Sequence, residues 1–174
     1  MQWSRLRASV RSFICPELRT RIDFHVTRYM DRGKAKSGMI TVDGKKLLTF
    51  SYDRFCREGV GWFAALPPVV SGPGYSIRSG PGYKEWEWSP QQTDEIHPPQ
   101  QLGDAMRAYL DMPVRTAIKS PNPFIRSLAI VDRRIGKTTL KQLAIRENDH
   151  SLVKEFYRLR MESLKREETG ATIR

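Results

Sequence analysis

The sequence predicts an α+β protein, a small antiparallel sheet with an N-terminal helix and a C-terminal helical bundle. Three observations carry this. Trp3, Leu6, Val10 and Phe13 recur at spacings of three and four, the mark of an amphipathic helix. Ile22, Phe24 and Val26 then alternate with Asp23, His25 and Thr27, which is the period of a strand. Helical stripes return from residue 100 onward. Segregation of strands from later helices is characteristic of α+β architecture.

The N-terminal helix keeps Arg5, Arg7 and Arg11 outside. A basic helix can lie on a membrane surface, but Trp3 and Phe13 read better as core residues. Pro16 closes or bends this helix. Arg28 and Tyr29 follow the first strand. Gly38–Val42 reads as a second strand, and Lys45–Ser51, with Leu47, Leu48 and Phe50, as its return. Asp43-Gly44 between them is a two-residue hairpin turn, because both positions tolerate positive φ. Asp53–Arg57 reads as one helical turn.

Residues 66–99 change in texture. Ser71-Gly72-Pro73-Gly74-Tyr75 repeats as Ser79-Gly80-Pro81-Gly82-Tyr83, and prolines break any long element. Tyr75, Tyr83, Trp86 and Trp88 stand in this stretch. They either tie down a long surface loop or form an interaction platform for a protein partner or for bases. Glu85 and Glu87, beside the tryptophans, repel phosphate.

Leu102–Asp111 reads as a helix with Leu102, Met106, Tyr109 and Leu110 inward. Val114–Lys119 is a shorter piece with Pro113 at its first turn. The last helix opens at Asp149 or Ser151 and buries Leu152, Val153, Phe156 and Leu159. The whole chain reads as a single domain over 1–174. It comprises a helix-plus-strand part (1–65), a Gly/Pro/aromatic insertion (66–99), a helical part (100–168) and a disordered tail (169–174).

Residues 123–140 organise the rest. Phe124, Leu128 and Val131 fall on one helical stripe, with Ile125 and Ala129 beside them. Asn122 suits the N-cap and Pro123 the first turn. Gly136 reads as a left-handed terminator after Arg133, Arg134 and Ile135, the two arginines sitting in the last turn. Thr138 or Thr139 then caps a second short helix. On a structural reading, Asp132 pairs with a nearby arginine and the arginines stabilise a helix end. On a functional reading, Arg133, Arg134, Lys137 and Lys141 present a cationic corner to phosphates. Gly136-Lys137-Thr138 is not the tail of a P-loop. That motif needs a glycine where Val131 stands, and a strand where a helix precedes.

The formal net charge is +11. It is concentrated at the ends: residues 1–34 hold eight Lys/Arg against three Asp/Glu, and residues 112–174 fourteen against seven, while the middle is near neutral. If the ends pack together, their fields add, as expected for nucleic-acid contact. Cys15 and Cys56 are too few for a disulfide framework or a zinc site. They read as buried thiols, with one disulfide between them left open. Arginines interrupt any leader-like apolar region, and no apolar run approaches the ~20 residues of a membrane span. A cytoplasmic location without membrane contact is therefore expected.

His25, His97 and His150 lie in unrelated contexts, so neither a metal site nor a cofactor is indicated. Neither cysteine has a nucleophile setting, and no serine elbow or paired carboxylates stand out. No catalytic residue emerges.

Several segments carry a resemblance. They are Trp3-Ser4-Arg5-Leu6, Arg21-Ile22-Asp23-Phe24 with Thr27-Arg28-Tyr29, the Ile40–Lys45 hairpin, Asn122-Pro123, Ala129–Lys137 around Asp132-Arg133-Arg134-Ile135-Gly136-Lys137, and Phe156–Arg160 after His150. Together they resemble a family of small uncharacterised bacterial proteins. The resemblance covers roughly the first 50 and last 60 residues, and the middle departs from the family pattern. It implies that the basic corner and the sheet belong to one compact unit. It implies no activity.

The leading functional expectation is a non-enzymatic nucleic-acid-binding protein. Arg133, Arg134, Lys137 and Lys141, with Arg28, would contact phosphates. The competing expectations are a protein-interaction module anchored by Tyr75, Tyr83, Trp86 and Trp88, and an enzyme with an unrecognised site.

Overall fold

The structure, a computed structural model, describes residues 2–27, 37–51 and 99–168. In chain order the elements are α1 (Trp3–Phe13), α2 (Pro16–Arg19), β1 (Ile22–Thr27), β2 (Ser37–Val42), β3 (Lys45–Ser51), α3 (Pro99–Asp111), α4 (Val114–Ala117), α5 (Pro123–Ile130), α6 (Lys137–Lys141) and α7 (Ser151–Glu168). This is the α+β arrangement expected. The helical turn at Asp53–Arg57, residues 66–98 of the Gly/Pro insertion, Cys56 and the tail lie outside the described residues, and Pro99, expected to close the insertion, instead opens α3.

The sheet has the order β1-β2-β3 and is antiparallel throughout. Asp43 and Gly44 both have positive φ, 50° and 75°, as the predicted hairpin turn requires. The register slips between Ile40 and Thr41, so that Thr41 faces Lys46 while Ile40 faces Leu48. Leu47 is the extra residue. Side chains in a strand alternate faces, so without this bulge Leu48 and Phe50 would turn away from the side that Ile40 buries. With it, both are buried and Leu47 is half-buried.

β1 lies on the other side of β2. Ile22 and Phe24 are fully buried, while Asp23 points to α1. Arg7 grips Asp23 with Nε at 3.0 Å and Nη2 at 2.7 and 2.5 Å, and Arg11 adds a contact at 3.5 Å. Burial pushes the Asp23 carboxyl up, but the Arg7 hydrogen bonds and the Phe24 amide outweigh it and hold the group below its usual value. Asp23 and Asp43 do not form a pair, because Asp43 is taken by Arg21 at 2.8 and 2.7 Å.

α5 is the buried centre of the helical part. Of its eight residues, all but Arg126 are buried. A helix apolar on nearly every side must be enclosed, and α5 packs against α3, α4 and α7. Asn122 caps it as expected, accepting from the amides of Phe124 (3.0 Å) and Ile125 (3.3 Å). Phe124 ties this helix to the sheet through Phe50, with ring centroids 5.5 Å apart, and to the start of α7 through His150, at 5.7 Å. α1 rests on α3 and buries Leu6 and Val10, with Trp3 and Phe13 half-buried.

Three local expectations need correction. α5 ends at Ile130 and Val131 forms its C-cap, so Asp132, Arg133 and Arg134 lie beyond the helix rather than in its last turn. Gly136 has φ −74° and ψ 158°, which is extended rather than left-handed, and it serves as the N-cap of α6 in place of either threonine. α2, with Pro16 at its first position, is a separate short helix that the sequence reading did not separate from the bend.

Gly38 faces Phe50, and a Cβ there would stand 3.0 Å from the carbonyl oxygen of His25 and 3.6 Å from Cβ of Phe50. The close contact is with backbone, which cannot rotate away. Gly38→Ala is expected to lower unfolding stability by about 1–3 kcal/mol, read as a shift in denaturant midpoint. An unchanged midpoint would mean that β1 and β2 separate without cost at this position.

Candidate nucleic-acid interface

The chain leaves α5 and turns back over the end of α1. Val131 accepts the Cys15 amide at 2.9 Å, Arg133 donates its amide to Phe13 at 2.8 Å, and Ile14 and Asp132 form an isolated antiparallel bridge. The two basic ends of the sequence thus meet through backbone hydrogen bonds. Cys15 is buried and free, and its thiol donates to Val131 O at 3.0 Å. Burial pushes the thiol up to about 12, against a smaller opposing pull from the Arg160 charge.

At this crossing stands Asp132, which is fully buried. A buried carboxylate is tolerated when its lone pairs are filled. Tyr109 donates its hydroxyl to Oδ2 at 2.5 Å. The Arg134 backbone amide donates to Oδ1 at 2.7 Å. The Arg134 side chain closes the set with Nη2 at 2.7 Å from Oδ2 and Nε at 3.0–3.1 Å from both oxygens. The guanidinium also covers the Phe13 ring, 3.9 Å from its centroid, in a cation–π geometry. Its contacts, with the Asp132 hydrogen bond first, hold the arginine above its ordinary value. Burial first, then the adjacent carboxylate, pushes the Tyr109 hydroxyl up, so it remains a donor.

Arg133 and Arg134 therefore differ. The guanidinium of Arg134 is engaged with Asp132, Tyr109 and Phe13, which weighs against a phosphate role. Arg133 uses only its backbone amide; its side chain is exposed and has no partner among the described residues. Lys137 opens α6 half-buried, and exposed Lys141 ends it. Four residues apart, they share one helical face. Arg28, Tyr75, Tyr83, Trp86 and Trp88 lie outside the described residues. Among the described residues no group of three His, Cys, Asp or Glu could hold a metal, and no helix is long and apolar enough to cross a membrane.

The opposite end of α5 carries a feature the sequence did not reveal. A concavity of about 340 Å³ is lined by Lys119, Arg126, Arg146, Asp149 and His150, among others. Arg126 donates to Asp149 (2.9 Å) and to the Ala144 carbonyl (3.2 Å), and the other Asp149 oxygen accepts the Arg146 amide (2.8 Å). His150 Nδ1 accepts the Leu152 amide at 3.0 Å, which places the proton of the neutral ring on Nε2. The one linear clue nearby was Asn122, read as the N-cap of α5.

A model of the SF0329 protein family matches residues 2–161. The chain belongs to this family. The SF0329 match runs through the middle of the chain, so the likeness is wider than the two ends from which the sequence resemblance was drawn. No curated protein and no solved structure matches.

Two outcomes are expected from this geometry. Asp132→Ala strands the Tyr109 hydroxyl and the Arg134 amide and should cost about 3–5 kcal/mol, whereas Arg133→Ala should stay within about 0.5 kcal/mol of the parent. Denaturant titration of both variants checks the contrast. Peptide mapping after alkylation of the native protein should find Cys15 unmodified until the chain unfolds, since the thiolate is the reactive form.

Proposed function

We propose that this protein is a non-enzymatic nucleic-acid-binding protein whose phosphate contacts run through Arg133, Lys137 and Lys141. The observation that carries the reading is Arg133. Its backbone is anchored to α1 at 2.8 Å, while its guanidinium is exposed and unpartnered among the described residues. The anchored backbone keeps this cation at the corner, so ordering it on a phosphate costs side-chain rotamer freedom but no further backbone freedom. The formal charge of +11 supplies long-range attraction to a polyanion. Several N-terminal arginines contribute less than their number suggests. Arg7 and Arg11 are paired with Asp23, and Arg21 with Asp43. Arg134 supports the corner instead of contacting the ligand. Arg28 joins the phosphate-contacting set on the basis of the sequence alone.

Binding of this kind is weakly sequence-selective and falls with salt, because each phosphate neutralised releases counterions. Fluorescence anisotropy with labelled duplex and single-stranded probes, at about 50 and 200 mM salt, tests it. Binding should weaken between the two conditions, and alanine at Arg133, Lys137 or Lys141 should each lower the slope of log affinity against log salt by about 0.9 on duplex. Absence of binding to either probe at the lower salt ends the proposal.

A further inference from the structure

We propose that the pocket at the start of α5 and α7 binds a phosphate group, as free phosphate or as a phosphate monoester. Its volume of about 340 Å³ is enough for such a group with part of a small molecule attached. Lys119, Arg126 and Arg146 contribute three cations against one carboxylate, Asp149. That carboxylate is already held by Arg126 at 2.9 Å and by the Arg146 amide at 2.8 Å. The same contacts, with the Ala144 carbonyl at 3.2 Å, fix the Arg126 guanidinium in place. Lys119 and Arg146 are exposed, and neither side chain has a partner among the described residues. Two exposed cations, without partners among the described residues, thus accompany a fixed one.

Pro123, the first residue of α5, and His150, which precedes α7, both line the cavity. Both helices therefore direct their positive dipole ends toward it. Asn122 and His150 already cap the first amides. The helix ends consequently add field, and the side chains must supply the hydrogen bonds. A metal cation would be repelled by the net positive lining. A neutral apolar ligand would leave the cations desolvated. A phosphate dianion gains charge-assisted hydrogen bonds from the same groups. Arg133 is not among the lining residues, so this site stands or falls independently of the corner.

Phosphorus NMR of inorganic phosphate and of phenyl phosphate, each titrated with the full chain at low salt, tests the proposal. A saturable shift is expected for at least one probe. Tighter binding of inorganic phosphate indicates a free-ion site, and tighter binding of phenyl phosphate an ester site. The variant Lys119→Ala/Arg146→Ala should bind at least about tenfold more weakly, the size expected for losing a charge-assisted hydrogen bond. Lys45→Ala, at an exposed position that is not among the lining residues, should bind as the parent does. Both substituted positions of the double variant are exposed, and an unchanged melting temperature confirms its fold. The proposal is overturned if neither probe shifts, if the double variant binds as tightly as the parent, or if Lys45→Ala weakens binding equally.

Discussion

The carboxylate of Asp132, removed entirely from water, is the constraint on which the rest of the molecule depends. Taking such a charge out of water costs several kcal/mol unless it is compensated. Here three donors converge on it: a tyrosine hydroxyl from α3, and both the backbone amide and the side chain of Arg134. The guanidinium is 40% exposed while the carboxylate is wholly dry. Half of the ion pair therefore keeps its hydration, which lowers the cost of burying the other half. Because the Asp132 backbone also bridges to Ile14, the same residue joins α1, α3 and the segment after α5. Local chain direction and long-range packing are set at one point.

From that point α5 runs as an enclosed rod about 12 Å long. Its surroundings are apolar along the length and charged at the two ends. At the C-terminal end the chain emerges to expose Arg133 and start α6. At the N-terminal end Lys119, Arg126 and Arg146 gather at the pocket. Cations distant in sequence are thus sorted into separate sets by a helix whose residues beyond Arg126 are all buried. The two arginines that looked equivalent as neighbours acquire opposite roles for the same reason. The backbone after Asp132 folds the Arg134 amide and side chain back onto the carboxylate, while the Arg133 amide is used by Phe13 and its side chain is left outward.

Much of the fold was legible because its determinants are local. The alternation over Ile22–Thr27, the Asp43-Gly44 turn, the Asn122-Pro123 start and the stripe of α7 each depend on residues within one or two turns of chain. Where the reading failed, a distant partner decided. Gly136 looked like a helix terminator, yet the helix had already ended at Ile130 so that Val131 could bond to Cys15, just past α1, and Arg133 to Phe13 at the end of α1. Of the corner residues, Arg133 and Arg134 are both exposed and Lys137 and Lys141 fall on the second short helix as their pattern suggested, but the Arg134 side chain is committed to Asp132, Tyr109 and Phe13. The pocket was invisible because Lys119 and Arg146 have no periodic relation, and only the folding of residues 142–150 beside the start of α5 brings them together.

Apart from the short helix α2, the order and type of the described elements, the hairpin turn and the basic character were determined by the sequence itself, since propensity, period and charge act over short distances or are simple sums. The tertiary structure alone decided which cations face outward, where the bulge at Leu47 falls, and that charged groups from three segments share a concavity. Those outcomes depend on burial and on hydrogen-bond partners drawn from remote parts of the chain, and neither is defined until the core has closed.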